Sequence, residues 1–400
     1  MSVRTVVIIG GGVTGLSTAY QLARRQYGRI VVLEKDRVGA GSSSRAAGIT
    51  TGLLWSETGV QARQIGLGLF RELSRTLPGY HYHDEHGCLN LFSPALWPDR
   101  ERLLPLYDRL GAPYRVLSAA EICRRWPCLR PPPDFLGLHD PAGGYSEPPE
   151  YLRALERAVR GLGVEIREQT TVTGFRRDQS GAVTGVRTAA GELPADAVVA
   201  TVYVWTLPTL APLGLRLPVK HFVHQRYVSA PLSSPPAFPP VNADPYGGYV
   251  RPAAGGRLLL GVETAERTEW RVNTVDFRMI DLAAPAGLRE STVERFRPFL
   301  PELGATAWES SEVGLISFSM DGEPILGPVA AAPGLFVGLA FHSGGFSYNP
   351  VSGLLLAELV STGRTSIDIA AFSPDRFSAP AADAYLASVV PQKHAVRRRH

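Results

Sequence analysis

Three glycines near the start of the chain, Gly10, Gly12 and Gly15, have the spacing G-x-G-x-x-G. They follow a β-branched run at residues 5–9, which predicts a buried parallel strand, and they open a helical stretch at residues 13–25. In such a unit the first glycine permits a tight turn, the second lets the backbone approach a pyrophosphate, and the third lets the helix pack on the strand. Because a helix N-terminus attracts phosphate, this segment predicts a dinucleotide site.

Glu34 ends the next apolar run, at residues 30–33, about one βαβ length after the glycines. A carboxylate here can accept hydrogen bonds from ribose hydroxyls and repels a 2′-phosphate, which argues against NADP. We find the glycine motif once, whereas electron transfer from a nicotinamide to a flavin usually needs two such sites. One site favours a tightly held FAD that is reduced by a small substrate. The loop at residues 35–48, rich in Gly, Ser and Ala, suits a bulky cofactor.

Further short segments carry a more specific signal when their order and spacing are taken together. They are residues 10–25 (GGGVTGLSTAYQLARR), 41–48 (GSSSRAAG), 145–166, 196–201 (DAVVAT), 248–261, 321–329 (DGEPILGPV), 338–359 and 367–377. In these segments the chain resembles the D-amino-acid oxidase, sarcosine oxidase and glycine oxidase superfamily of FAD-dependent amine oxidoreductases.

The resemblance implies an α/β fold with a Rossmann-like FAD-binding domain of the GR2 type. This domain is interleaved with an α+β substrate domain on a mostly antiparallel sheet. We expect the FAD-binding domain to comprise residues 1–51, 141–215 and 319–400. Residues 52–140 and 216–318 then form the substrate-binding domain.

The turn GGFSYNP at residues 344–350 precedes a helix predicted from about residue 350 to 361. Its N–H groups and dipole could stabilise negative charge on a reduced flavin, and in the family this turn lies against the flavin. The predicted FAD contacts are Gly10, Gly12, Val13, Thr14, Gly15, Glu34, Lys35, Ser43, Ser44, Arg45, Ala46, Ala47, Gly48, Val172, Thr201, Gly344, Gly345 and Phe346. Some relatives link FAD through a loop histidine or a cysteine before the D-G-x-P turn. Neither occurs here, so we expect non-covalent FAD.

The substrate side departs from the family pattern. Family members clamp a substrate carboxylate with a tyrosine and an arginine, and Tyr249 matches that tyrosine. The arginine usually follows a Gly-Leu pair, but here Ile316 stands in its place. A carboxylate would therefore need another partner, such as Arg226 or Arg251. Alternatively, the substrate lacks that group or is larger.

Three histidines and one leucine complete the predicted pocket. His342 precedes the flavin-side turn and is a candidate acid, base or hydrogen-bond donor. His221 and His224 lie on one strand at a spacing that puts them on opposite faces, so at most one points inward. Leu259 stands where monomeric sarcosine oxidases carry an O2-activating lysine, which leaves oxidase and dehydrogenase activity both open. We take Tyr249, Arg251 and His342 as the catalytic candidates.

The composition excludes several other classes. A net charge of +4 over 400 residues gives no reason to expect nucleic-acid binding. The basic tail at residues 393–400 is interpreted as a solvated terminus, and three cysteines do not form a disulfide framework. His81, His83 and His86 lack the helical spacing of a zinc motif, so no metal is expected. With no apolar run long enough for a membrane span and no leader pattern, we expect a cytoplasmic protein. The sequence is compatible with a monomer or a homo-oligomer.

The sequence therefore predicts an FAD-dependent oxidoreductase that oxidises the C–N bond of an amine or amino acid. Hydride passes to flavin N5, and water hydrolyses the resulting imine. The electron acceptor is O2 or another oxidant. One alternative is a hydroxy-acid dehydrogenase acting on a C–O bond. A second is a flavoprotein subunit that is active only inside a hetero-oligomeric complex.

Overall fold

The computed structural model describes residues 4–262, 269–283 and 286–389, so the basic tail lies outside the described residues. In chain order the strands are β1 (Thr5–Ile9), β2 (Arg29–Leu33), β3 (Ile49–Thr50), β4 (Tyr82–His83), β5 (Cys88–Phe92), β6 (Arg115–Ser118), β7 (Leu136–Asp140), β8 (Gly144–Ser146), β9 (Glu165–Arg167), β10 (Val172–Arg177), β11 (Val183–Thr188), β12 (Gly191–Pro194), β13 (Ala197–Ala200), β14 (Val219–Ser229), β15 (Val241–Ala243), β16 (Gly248–Ala253), β17 (Arg257–Val262), β18 (Trp308–Ser319), β19 (Ile325–Pro328), β20 (Leu335–Leu339) and β21 (Phe341–His342). The α-helices are α1 (Val13–Arg24), α2 (Glu57–Thr76), α3 (Trp97–Glu101), α4 (Leu104–Leu110), α5 (Ala119–Arg125), α6 (Pro148–Gly161), α7 (Thr206–Leu210), α8 (Leu288–Phe296), α9 (Gly345–Thr362) and α10 (Ala379–Ala387).

A six-stranded sheet has the order β19-β20-β13-β1-β2-β9, and its pairs are parallel except for β19 with β20. Its central strands are near-continuous apolar runs because both faces are covered. Val6 and Ile8 face one buried cluster, and Val7 and Ile9 face the other. The carboxyl ends of β1, β2 and β13 therefore meet at one edge, where α/β sheets bind their ligands.

Helices α1 and α9 pack closely against each other because Gly353 has no side chain. A Cβ at Gly353 would lie 2.5 Å from Cβ of Ser17, so any other residue would force the helices apart. Buried hydrogen bonds of Asn349 also join these helices. Its Oδ1 accepts from Ser17 Oγ at 2.6 Å and from Tyr151 Oη at 2.7 Å. These contacts fix the N-terminal half of α9 against α1 and α6.

The second large sheet has nine strands in the order β21-β18-β14-β17-β16-β15-β5-β7-β6. All of its pairs are antiparallel except β15 with β5. One face packs on a core that includes Val250, Leu258 and Leu260. Because side chains alternate along a strand, Tyr249 and Leu259 project from the other face. The α/β architecture with a mostly antiparallel second sheet confirms the predicted fold class.

The sheets agree with the interleaved arrangement, although the exact domain boundaries stay a prediction. The six-stranded sheet draws its strands from residues 5–33, 165–200 and 325–339, and the nine-stranded sheet draws most of its strands from residues 88–140 and 219–319. One element crosses the expected division. Strand β21 falls in the segment assigned to the FAD-binding domain but pairs with β18 of the other sheet.

The prediction for the C-terminal helix was wrong at its start. The C-terminal helix begins at Gly345 rather than near Pro350, which lies inside it. Pro350 cannot donate to the carbonyl of Phe346, and the Asn349 side chain donates to that carbonyl instead. Elsewhere, the short helices α3 and α4 are separate elements, and Pro105 lies in the first turn of the second.

No helix in the described ranges is both long enough and apolar enough to cross a membrane.

Candidate active site

One continuous cavity begins at the glycine motif, where each glycine is required for a different reason. Gly10 has φ +107°, and a Cβ there would lie 2.7 Å from the Thr201 carbonyl oxygen. A Cβ at Gly15 would lie 2.0 Å from the Gly10 oxygen, so only glycine lets α1 pack at this distance. A Cβ at Gly12 would lie 2.9 Å from Ser43 Oγ. The motif thus forms a cradle with no side chain between the backbone and the cavity.

The N-terminus of α1 faces this cradle without a capping side chain of its own. Ser43 Oγ, from the following loop, accepts a hydrogen bond from the Val13 N–H at 3.1 Å. The positive end of the helix dipole is therefore directed at the cavity, where a pyrophosphate fits.

Glu34 lines the same cavity at the end of β2. Its Oε2 accepts from the Gly11 N–H and its Oε1 accepts from the Asp36 N–H, both at 2.9 Å. Burial raises the pKa of the Glu34 carboxyl, and the two amide contacts oppose this shift. Each oxygen keeps a second lone pair, so the carboxylate can still accept from ribose hydroxyls.

The predicted cofactor residues lie together along this cavity, with two exceptions. Those that line it are Gly10, Gly12, Val13, Thr14, Glu34, Lys35, Ser43, Arg45, Ala46, Ala47, Gly48, Val172, Thr201, Gly344, Gly345 and Phe346. Gly15 lies beneath it, where its closeness to Gly10 serves helix packing. Ser44 is outside the lining, and its carbonyl accepts from Arg226 Nη2 at 2.9 Å. Their individual contacts with a cofactor stay predictions.

The far end of the cavity is enclosed by the nine-stranded sheet and by helices α2 and α9. Tyr249 and His224 project from the sheet, with Tyr249 Oη and His224 Nε2 2.7 Å apart. The Tyr249 ring occupies the space over Gly261, where a Cβ would lie 1.8 Å from the ring. His221, in contrast, is buried outside the lining, as opposite faces of β14 require.

His342 lines the cavity in a left-handed backbone conformation, with φ +47°. Burial, reinforced by the nearby Arg63 charge, lowers the pKa of His342 to about 3. The imidazole is therefore neutral at physiological pH. Its Nδ1 accepts from the Gly344 N–H at 3.3 Å, which favours the tautomer with its proton on Nε2. His342 can thus donate a hydrogen bond, but it is a weak base.

Arg251 lies outside the cavity lining, and its donors are occupied. Its side chain is fully buried and binds Glu147 through two contacts, Nη1 to Oε1 at 2.8 Å and Nη2 to Oε2 at 3.0 Å. Its Nε also donates to the Ala47 carbonyl at 2.6 Å. A substrate contact for Arg251 stays a prediction, and it would require the pair with Glu147 to open.

Ile316 lines the cavity and belongs to a small apolar cluster with Phe222 and Phe318. The position that carries the carboxylate-binding arginine in the family pattern is therefore an apolar wall here. The other candidate, Arg226, donates to Ser44 and does not line the cavity.

Arg63, a buried residue of α2 that lines the cavity, was not among the residues predicted from the sequence. A signal was present, because Arg63 falls in the apolar stripe of its helix with Val60, Leu67 and Phe70, which are all buried. An arginine inside such a stripe either pairs internally or faces a site. Tyr203, Trp205 and Asn242 also line the cavity and carried no comparable signal.

His81 and His83, for which no metal was expected, lie near a carboxylate. The ligand atoms of His81, His83 and Glu85 lie within 4.8 Å of one another, with His81 and Glu85 exposed. The three residues are outside the cavity lining, so they are not part of this site. The expectation of no metal stays a prediction.

Comparison with known proteins identifies the class. The model of the FAD dependent oxidoreductase family, DAO, matches residues 5–359, and the chain belongs to this family. It is 28% identical to glycine oxidase of Geobacillus kaustophilus over 93% of this chain and 96% of that protein. It is 30% identical to glycine oxidase of Pseudomonas putida over 93% of this chain and 98% of that one. The chain is accordingly an oxidoreductase with FAD as its cofactor, as the cradle and Glu34 predict.

Solved structures support the same fold. The crystal structure of the Geobacillus kaustophilus glycine oxidase matches with a TM-score of 0.80 and 28% identity, over 94% of this chain and 100% of that one. L-proline dehydrogenase from P. horikoshii matches with a TM-score of 0.85 over 94% of this chain and 98% of that one. At 23% identity, the second match bears on the fold alone.

We expect the reduced protein to react slowly with O2, because Leu259 places no positive charge on the cavity face of β17. Leu259 pairs with Arg251 and is 1% exposed. Reduction of O2 passes through superoxide-like character that a nearby cation stabilises, so Leu259→Lys should accelerate reoxidation. Leu259→Met is the uncharged control. Stopped-flow reoxidation against oxygen concentration provides the measurement. Wild-type rates typical of an efficient oxidase would contradict this prediction. The next variant to test would then be Arg63→Met, because Arg63 is a buried cation that lines the cavity.

Proposed function

We propose that the protein oxidises the C–N bond of an amino acid or small amine to an imine, which water hydrolyses. The observation that carries this proposal is the continuity of the cavity, which leads from the pyrophosphate cradle to a chamber between Tyr249, His342 and Ile316. Glycine oxidases of similar length and sequence support it. When bound, FAD supplies the acceptor for the hydride that leaves the substrate carbon.

The residues around the chamber favour an uncharged amine. His342 is neutral, and Ile316 contributes only apolar surface, so an ammonium group would be poorly solvated at this end. Tyr249 and His224 form a polar pair on the sheet wall that can orient the amine by hydrogen bonds. Once the amine is unprotonated, loss of hydride requires no nucleophile from the protein.

Glycine and D-alanine should reduce the flavin poorly, because Ile316 cannot bind a carboxylate. A charge-assisted contact is worth roughly 1.5–3 kcal/mol, so its loss implies on the order of 10- to 100-fold weaker use. Each substrate CH2 buried on the apolar wall should add about 0.8 kcal/mol, or about fourfold. Amino acids with larger alkyl groups, on the side chain or on nitrogen, should therefore be better substrates than glycine.

The test is anaerobic bleaching of the flavin by a panel of amines, D- and L-amino acids and hydroxy acids. Rapid reduction by glycine or D-alanine at low concentration would contradict the prediction. Reduction by hydroxy acids alone would replace C–N oxidation by C–O oxidation. Bound FAD that no compound reduces would favour a subunit that works only in a larger complex.

A further inference from the structure

Arg63 is a buried cation with few protein partners. It is 4% exposed, and its guanidinium carbon lies 4.2 Å from the centre of the Tyr348 ring. Its Nη1 reaches the Thr51 carbonyl only at 3.4 Å, which is a long contact. Its Nε has no hydrogen-bond partner among the described residues. Besides its interaction with the Tyr348 side chain, the guanidinium therefore has one long contact at Nη1 and an unused donor at Nε.

Some buried cations of this protein have a carboxylate partner, whereas Arg63, Arg100 and Arg226 have none among the described residues. Arg251 has the carboxylate of Glu147, and Lys220 has the carboxylate of Glu269 at 2.8 Å. The ion pairs found in the described ranges include none for Arg63. An arginine stays protonated even when burial lowers its pKa, as it does here. A buried, unpaired cation is costly, and facing a cavity it favours an anion there.

The surroundings of Arg63 leave room for such an anion. A Cβ at Gly344 would lie 2.3 Å from Arg63 Nη2, so the absence of a side chain in the turn is what admits the guanidinium. His342 is neutral and does not compete for the negative charge. Arg63, Gly344 and His342 line the same cavity, on its helix side.

We propose that Arg63 binds the substrate carboxylate, in place of the arginine that Ile316 replaces. This inference rests on the proposed oxidation of an amino acid and narrows its substrate class. The carboxylate lies at the helix wall formed by α2 and α9, the amine lies toward Tyr249 and His224, and an alkyl group faces Ile316. With Arg63 as the anchor, glycine and D-alanine keep a carboxylate contact. Their disadvantage then comes from the missing alkyl contacts with the apolar wall, about fourfold for each CH2.

Binding of simple acids to the FAD-loaded protein tests this without turnover. Acetate, butyrate and benzoate are titrated against acetamide, butyramide and benzamide, with flavin absorbance and calorimetry as readouts. Wild type should bind the acids at least tenfold more tightly than the amides. Arg63→Met should weaken acid binding at least tenfold and leave the amides unchanged. Arg63→Lys should keep part of the preference, since it retains the charge.

Arg100→Met is the matched control. Arg100 is fully buried and, like Arg63, lies over an aromatic ring, with its guanidinium carbon 4.3 Å from the centre of the Trp55 ring, but it lies outside the cavity lining. Its replacement should leave the acid Kd within about twofold. If Arg63→Met does not retain FAD, the acid and amide Kd values of Arg63→Lys are compared with those of wild type instead.

Equal affinity for acids and amides in wild type would overturn the inference. An unchanged acid Kd in the Arg63 variants would also overturn it, and a shifted flavin midpoint potential in those variants would then assign Arg63 to the flavin. Equal weakening of acid binding by Arg63→Met and Arg100→Met would overturn it as well. If acids bind through Arg63 but no amine reduces the flavin, only the proposed oxidation is refuted. If amines reduce the flavin but acid binding does not depend on Arg63, only the proposed role of Arg63 is refuted.

Discussion

Gly12→Val should yield protein that has lost its FAD. The new side chain would begin 2.9 Å from Ser43 Oγ and project into the cradle, where the pyrophosphate fits. Overpacking costs typically 1–3 kcal/mol, so we expect FAD binding to weaken by roughly 5- to 150-fold. The ratio of flavin to protein absorbance after purification measures the loss. Gly68→Ala on α2 is the control, because a Cβ there meets nothing within 4 Å.

Acid precipitation of the wild-type protein completes this test. Since no linkage residue is present in the expected places, intact FAD should appear in the supernatant. Flavin that stays with the precipitate would contradict non-covalent binding. A Gly12→Val protein with a full complement of FAD would show that the cofactor does not occupy the cradle.

Glu147→Gln should destabilise the protein by about 3–5 kcal/mol, the range for removing one partner of a buried ion pair. The reason is that Arg251, fully buried, would keep its charge without the bidentate carboxylate. The free energy of unfolding in urea provides the measurement. Glu165→Gln is the control, since Glu165 pairs with Arg29 at 40% and 47% side-chain exposure and should cost under about 1 kcal/mol.

The ion pair between Glu147 and Arg251 should also affect how the free energy of unfolding depends on pH. Burial alone would raise the pKa of Glu147, but the Arg251 charge and hydrogen bonds lower it on balance. A depressed carboxyl pKa contributes stability that is present above its unfolded value and lost as the pH falls through the folded value. Glu147→Gln should therefore flatten the acid limb of the stability curve. If Glu147→Gln is as stable as wild type, the ion pair with Arg251 has no structural role, and Arg251 would be available to the substrate.

The N-terminal unit could be predicted from sequence because its determinants are local. The strand, the three glycines, the helix and Glu34 follow one another within 34 residues, and each has a direct physical role. Helix α6 was equally accessible, since its apolar periodicity and the prolines at its start define Pro148–Gly161. The start of α9 could not be predicted in this way. Pro350 cannot donate to the Phe346 carbonyl, and the side chain of Asn349 donates to it instead, so the helix continues through the proline.

The substrate end depended on contacts between distant segments. Arg251 finds its carboxylate 104 residues earlier in the chain, so its burial in an ion pair could not be read from its own strand. Arg63 enters the cavity only because α2 packs beside the turn at Gly344. Family resemblance pointed to the position of Ile316, but only the tertiary structure shows which arginine faces the same cavity.

The most direct test of the proposed reaction is the nitrogen product of an anaerobic single turnover. The protein is mixed with one equivalent of the best acyclic amino acid from the panel, because the imine of a cyclic one would keep its nitrogen after hydrolysis. Released ammonia or amine, including a released amino acid, is then measured against the amount of reduced flavin. Oxidation at the C–N bond predicts one equivalent of released amine or ammonia per reduced flavin, together with the matching keto acid or aldehyde. Reduced flavin without released nitrogen, or with a hydroxy acid as the only reductant, would contradict it.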